Sequence, residues 1–410
     1  MNRAGQLSII TFVVAVAFIL AAPSAARADA VSDWNIRACE IAGPANLDTP
    51  TANRVLAIFH TAIYEAVNAI TKRYPASESK IDSSSGASVD AAVAAASRAT
   101  LIRLVTSQQT EIESVYQSVL ASIPDGKAKT DGIRAGEQAA AAILAARTDD
   151  GYTTVETYRP YTIAGMYVPT IVPAVPHWPQ RKPWLMTSPS QFRPGPPPDL
   201  KSELWARDYN EIKAVGGKNG SGRTAEQTDI ARFWEATLPG IYHGVVRSVA
   251  SMPGRDITQN ARLFMAVTQA VDDAVISVFE AKYHYNFWRP ITAIRNGDID
   301  GNDATTRDPS WTPFINTPMH PEYPCAHCIV SATVGTILQA EIGNGKMPVL
   351  TTTSTTANNS KRTWMTIEDF IQEVANGRIY DGVHFRTSTE VGTAMGRQIG
   401  KLAVSKYLAK

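Results

Sequence analysis

The sequence predicts an almost wholly α-helical fold, and three observations carry that expectation. Apolar residues recur at three- and four-residue spacing through most of the chain, strand-like alternation is nearly absent, and the one long stretch that breaks the pattern is dense in proline. The expected architecture is a helical bundle of two packed halves, at about residues 31–150 and 222–410, joined by a Pro-rich irregular strap at about 152–200. No periodicity demands two independent folding units, so residues 31–410 are read as a single helical domain.

The N-terminus stands apart. Asn2 and Arg3 precede an apolar run at residues 9–22 and the small-residue site Ala26-Arg27-Ala28, which together predict a signal peptide over residues 1–28, cleaved after Ala28 or Ala30. The expectation is export to the periplasm or the medium. No later stretch approaches the roughly 18 apolar residues of a membrane span, so no stable span should remain after processing. The first clear helix follows, because Val55, Ile58, Phe59, Ala62, Ile63, Ala66, Val67 and Ile70 form one stripe. Similar patterns predict helices at about 89–105, 108–122, 128–147, 224–237, 257–283, 327–342, 366–376 and 389–408. Thr224 with Gln227, and Thr366 with Asp369, have the spacing of helix-start boxes. Alanines at 139–142 and 145–146 would let neighbouring backbones approach closely, as a bundle requires. In the strap, proline excludes helix but lowers the entropy cost of ordering an extended chain, and Trp178 and Trp184 are expected to anchor it beside the pocket. Residues 343–361, rich in Thr, Ser and Asn, read as a solvated loop.

Composition sets the outer bounds. With 410 residues, 44% of them hydrophobic, and a formal net charge of +1, the chain can bury a large core and carries no polycationic footprint for nucleic acid. It sets no oligomeric state.

The chemistry is concentrated in three stretches of the last third: Lys282-Tyr-His-Tyr-Asn-Phe-Trp-Arg289-Pro290, Pro324-Cys325-Ala326-His327, and Arg378-Ile-Tyr-Asp-Gly-Val-His384. A tetrahedral oxyanion taken out of water needs fixed donors and positive charge around its oxygens. Lys282, Arg289 and Arg378 supply three cations, two of them planar forks, and His327 and His384 supply groups that can attack, coordinate or move a proton. One charge pair at contact is worth about 4 kcal/mol at an effective dielectric of 20, so three cations would be costly to gather without an anion among them. Helical spacing puts Lys282 and Arg289 on one face, with the helix expected to end at Pro290. Gly382 predicts a tight turn between Arg378 and His384. His327 falls at a predicted helix N-terminus, where free backbone N–H groups favour an anion.

These spacings resemble the vanadium haloperoxidase and type 2 phosphatidic acid phosphatase superfamily, whose pattern is Lys, six residues and Arg-Pro, then Pro-Ser-Gly-His, then Ser-Arg, five residues and His. Trp34-Asn35, the segment from Arg54 to Ile70, and Gln191-Phe-Arg-Pro-Gly-Pro-Pro-Pro198 are similar to its soluble exported branch. The resemblance implies a vanadium haloperoxidase-like all-α fold. It makes His384 the ligand of vanadate, or the nucleophile of a phosphatase, and His327 the acid–base. Lys282, Arg289, Arg378 and the Ala326 backbone N–H would hold oxygens. Cys325 stands where the family has serine, Gly377 replaces another serine, and Ser388 stands where many members have the aspartate that orients the last histidine. His320 lies on the expected halide side, where histidine is associated with bromide, with a structural role equally compatible.

Two reactions fit one cage. With vanadate as cofactor, halide would be oxidised by hydrogen peroxide; without any cofactor, a phosphomonoester would be hydrolysed through a phosphohistidine at His384. A non-catalytic oxyanion-binding protein is a third class. The resemblance to the exported haloperoxidase branch favours the first, while a Cys325 thiolate beside peroxide is open to oxidation unless a disulfide to Cys328 or Cys39 protects it. Cys325-Ala-His-Cys328 also has thioredoxin-like spacing, but a Pro-rich loop precedes it instead of a strand. Ile329 in place of histidine excludes haem attachment, and a zinc site lacks a fourth ligand.

Overall fold

In the computed structural model, residues 29–75, 81–220 and 222–408 are described. The expected signal peptide lies outside them. Among the described residues the fold is all-α apart from one hairpin, and no helix is long and apolar enough to cross a membrane.

The N-terminal half contains α1 (Ala30–Ala42), α2 (Thr49–Thr71), α3 (Val89–Leu104), α4 (Gln109–Ala121) and α5 (Lys127–Ala146). Side-chain caps start three of them, with Asp29, Asp48 and Ser88 each accepting from a backbone N–H of the first turn. The stripe expected on α2 is buried almost all round, because α2 packs on α3, α5 and the long α9 (Ile257–Tyr285). Between the strap and α9 come α6 (Glu203–Val215), α7 (Ala225–Trp234) and α8 (Gly240–Ala250). After α9 come the short α10 (Pro290–Arg295), α11 (Ala326–Ile342), α12 (Ile367–Tyr380) and α13 (Arg386–Tyr407). The Thr224–Gln227 box is present in full at α7, and Thr366 caps α12 through Asp369 N–H. One hydrophobic cluster runs from Val31 in α1 to Ala403 in α13, so both halves share apolar packing around α9.

The strap is ordered by polar clamps. Asp273 on α9 accepts from Trp184, Leu185 and Met186 N–H, and Asp272 accepts from Trp184 Nε1 at 2.9 Å. Trp178 is fully buried and Trp184 half-buried. Nearer its start, the strap runs beside the chain that leaves α9: Tyr167 N–H donates to Asn286 O and Trp288 N–H to Gly165 O.

Two expectations need correction. Residues 343–361 do not form a merely solvated loop, for β1 (Leu350–Ser354) pairs antiparallel with β2 (Ser360–Trp364). Period-two burial of Leu350, Thr352 and Ser354 places them on the protein side, and β-branched threonines suit a half-buried ribbon. The chain through Arg289 is also not one helix ending at Pro290. Asn286, with φ 50°, closes α9 by donating its N–H to Lys282 O, and Pro290 occupies the first turn of a new helix. Helices α1, α6, α8 and α10 were not expected; α10 is a single short helix after a loop, and α6 carries a polar face on most of its length.

Candidate active site

Five separated elements bring the predicted residues together. Lys282 lies in the last turn of α9, Arg289 is the residue before α10, Cys325 is the N-cap of α11, and Arg378 is in the last turn of α12. Gly382, at φ +80°, makes the turn that delivers His384 just before α13. A Cβ at Gly382 would lie 2.2 Å from Gly216 O, so this turn also packs too tightly for any side chain.

Backbone carbonyls hold the cations in place. Lys282 Nζ donates to Pro321 O (3.0 Å) and Glu322 O (2.7 Å). Arg289 donates from Nε to His320 O (2.8 Å) and from Nη1 to Val383 O (2.9 Å), with Nη1 3.4 Å from His384 Nε2. Arg378 Nη1 donates to Trp234 O (2.6 Å) and to Asp381 Oδ2 (2.5 Å), while its Nε is buried without a partner. Lys282, Arg289, Arg378 and His384 are all buried, whereas Ala326 and His327 on the first turn of α11 are half-buried. An aromatic cluster containing Trp205, Phe287, Trp288, Tyr323 and Phe385 backs this region.

The histidines are oriented by residues that the motif spacing did not reveal. His384 Nδ1 lies 2.8 Å from Glu322 Oε1, which also accepts from Phe385 N–H at 3.0 Å. A carboxylate there selects the Nδ1–H tautomer and leaves Nε2 with its lone pair on the Arg289 side. Glu322 thus makes the contact that the sequence resemblance led one to expect of an aspartate at position 388, while Ser388 Oγ is 3.4 Å from the same Nδ1. The only sequence signal was a lone acid in His320-Pro-Glu-Tyr-Pro324, a run otherwise built of proline and rings. His327 Nε2 lies 3.1 Å from Ala236 O, which favours a proton on that nitrogen. His320 joins the cage through Arg289, whose Nη2 is 2.9 Å from His320 Nδ1, and its ring stands edge-on to Phe279.

Electrostatics follow from burial and from the surplus of cations. Burial and then the neighbouring cations hold His384, His327 and His320 well below the usual imidazole range. Lys282 is likewise pushed well below its ordinary value by burial and by Arg289, and burial lowers Arg289 to about 10. Burial raises Glu322 and Asp381 to about 7 each, against the pull of Lys282 and Arg378 respectively. Buried cations near enough to lower one another would be relieved by an added anion. The residues thus fit a vanadate-like oxyanion: three cations, the unpartnered Arg378 Nε, a helix N-terminus and one imidazole Nε2.

Several known proteins are similar to this chain. The family described as the VCPO second helical-bundle domain matches residues 262–409, the segment that carries all five motif residues. Vanadium chloroperoxidase of Curvularia inaequalis is 27% identical over 172 residues. The crystal structure of the first bacterial vanadium-dependent iodoperoxidase is 26% identical, with a TM-score of 0.78 over 92% of this chain and 96% of that one. In sequence and fold the chain is similar to vanadium haloperoxidases. The match to the Curvularia protein covers 34% of this chain and 28% of that one. A bacterial vanadium-dependent chloroperoxidase structure, at 18% identity, shares the superfamily fold with a TM-score of 0.71 over 89% of this chain and 94% of that one.

Proposed function

We propose that this protein is an exported, vanadate-dependent haloperoxidase that oxidises halide with hydrogen peroxide. The observation that carries the reading is that Lys282, Arg289 and Arg378 lie near enough to His327 and His384 to lower both imidazoles, while Glu322 takes His384 Nδ1 and leaves Nε2 on the Arg289 side. The likeness over nearly the whole chain to a bacterial iodoperoxidase supports halide oxidation over phosphate transfer.

Bound vanadate would supply the centre at which peroxide is activated toward halide. Lys282, Arg289 and Arg378 would hold its oxygens, with Cys325 and the Ala326 N–H at the helix N-terminus beside them. His384 would be its protein ligand, kept in the correct tautomer by Glu322. His327, half-buried on the first turn of the helix, would move protons between the site and water, and its depressed basicity would let it return a proton readily. His320 is proposed to act on the halide side through its contact with Arg289.

The test is a paired assay on one preparation. Vanadate-free protein is assayed for p-nitrophenyl phosphate hydrolysis, then vanadate is added and peroxide-dependent iodide and bromide oxidation are followed. Vanadate should switch on halide oxidation. If vanadate only inhibits a phosphatase activity, the enzyme is an acid phosphatase using His384 as nucleophile; if it binds tightly and neither activity appears, the pocket is a non-catalytic oxyanion site.

A further inference from the structure

Cys325 and Cys328 form a chemical unit inside the cage wall. Their sulfurs are 2.6 Å apart, and Cys325 Sγ also accepts from Cys328 N–H at 3.3 Å. Both are free thiols and fully buried. They cluster with Ala375, and α13 closes over them at Gly392, where a Cβ would lie 2.5 Å from Cys325 O and 3.2 Å from Cys328 Cβ. Ala326 and His327, between the two cysteines on the same turn, are half-buried, which makes this turn the nearest approach from solvent. Cys39 belongs elsewhere, on α1 beside Arg247.

The two sulfurs have unequal roles. Cys325 is the helix N-cap, receives both hydrogen bonds and faces Arg378 and Lys282, so negative charge is stabilised there; burial opposes this, but the Cys328 thiol and then Arg378 pull it below the ordinary thiol value. Burial and the hydrogen bond to Cys325 keep Cys328 protonated.

We infer that Cys325 and Cys328 are a reversible peroxide-oxidised pair, in which hydrogen peroxide entering the cage converts the two neighbouring thiols to an internal disulfide. The inference rests on the haloperoxidase reading only for the source of the peroxide. Cys325 thiolate attacks one peroxide oxygen, the O–O bond breaks, and the second oxygen leaves as hydroxide, giving the sulfenic acid. The Cys328 sulfur then attacks Cys325 sulfur, the S–O bond breaks, and the departing hydroxide takes the Cys328 proton as water. Two thiols and one peroxide yield one disulfide and two waters, the sulfurs losing two electrons and the peroxide gaining them. The consequence is protection of the pocket. Without a resolving partner Cys325 would proceed to sulfinic or sulfonic acid, a permanent anion among the cage cations, whereas the disulfide is neutral and reducible.

The test uses reduced, vanadate-free full chain exposed to hydrogen peroxide, quenched in acid, alkylated under denaturing conditions and read by mass spectrometry. The peptide holding both cysteines should lose two hydrogens and take no alkyl group, and dithiothreitol should restore both thiols. In Cys328→Ser, peroxide should add two or three oxygens to Cys325 and weaken inorganic phosphate binding by about tenfold or more. Oxygens on Cys325 of the unaltered chain with Cys328 still alkylatable, or both thiols intact at peroxide levels that oxidise Cys39, would overturn the inference. The mass result on the unaltered chain decides even if Cys328→Ser does not fold. Halide oxidation is measured separately: a disulfide without that activity sinks the haloperoxidase reading and leaves the pair standing.

Discussion

Two buried charge clusters in this molecule have opposite characters. At the junction of α2, α9 and the strap, Arg54 and Arg181 share Asp150 at 2.8 Å each, and Arg181 reaches Asp272 at 2.7 Å. Burial acts against Asp150 and Arg181, yet their partners prevail: Asp150 lies below its usual value and Arg181 above. In the cage, burial wins, because Lys282 and Arg289 face each other and lean on carbonyl dipoles. The first cluster has carboxylates for its guanidiniums and is a structural clamp. The second has Asp381 for Arg378 and Glu322 shared between His384 and the neighbouring cations, an arrangement that suits the added anion proposed above.

Substitutions should separate the two. Arg181→Met leaves Asp150 and Asp272 short of a buried partner and is expected to cost about 3–5 kcal/mol in a denaturant titration, with phosphate or vanadate affinity nearly unchanged in whatever remains folded. Arg378→Met in the cage should instead weaken vanadate binding by about 2–5 kcal/mol, measured by calorimetry, with a smaller loss of stability. Equal effects of both changes on stability and binding would erase the distinction.

Glu322→Gln sharpens the comparison at one atom. It keeps shape but removes the charge that selects the His384 tautomer, so turnover or cofactor affinity should fall about 10–100-fold while the circular dichroism spectrum is preserved. An unaffected enzyme would mean that Ser388 orients His384 alone.

A pH measurement follows from the depressed cations. In the free protein Lys282 and the three cage histidines are held below their usual values. An anion raises them, so binding takes up protons, and affinity beyond the ligand's own ionisation should fall as pH rises. Calorimetry of phosphate binding in two buffers of different ionisation enthalpy reads the sign; proton release would contradict it. The smallest expected effect is His320→Phe, which should alter the ratio of bromide to iodide oxidation by about tenfold or less with vanadate affinity largely kept.

The sequence made the helices and the five cage residues legible because both are local patterns: apolar stripes at 3.6-residue spacing, and cations and imidazoles at fixed offsets. Glu322 was hidden because its partner, His384, is 62 residues away and only the folded chain places it at 2.8 Å. The same is true of Asp272 and Asp273, which lie mid-helix on α9 and show their use only when the strap is laid across them. The hairpin at Leu350 was obscured by composition, since threonine serves both solvated loops and ribbons.

The central claim is that one oxyanion completes the cage. A crystal structure of the protein grown with vanadate tests it most directly. A single vanadate should lie among Lys282, Arg289 and Arg378 within bonding reach of His384 Nε2; vanadate bound elsewhere, with only water between those side chains, would contradict the account.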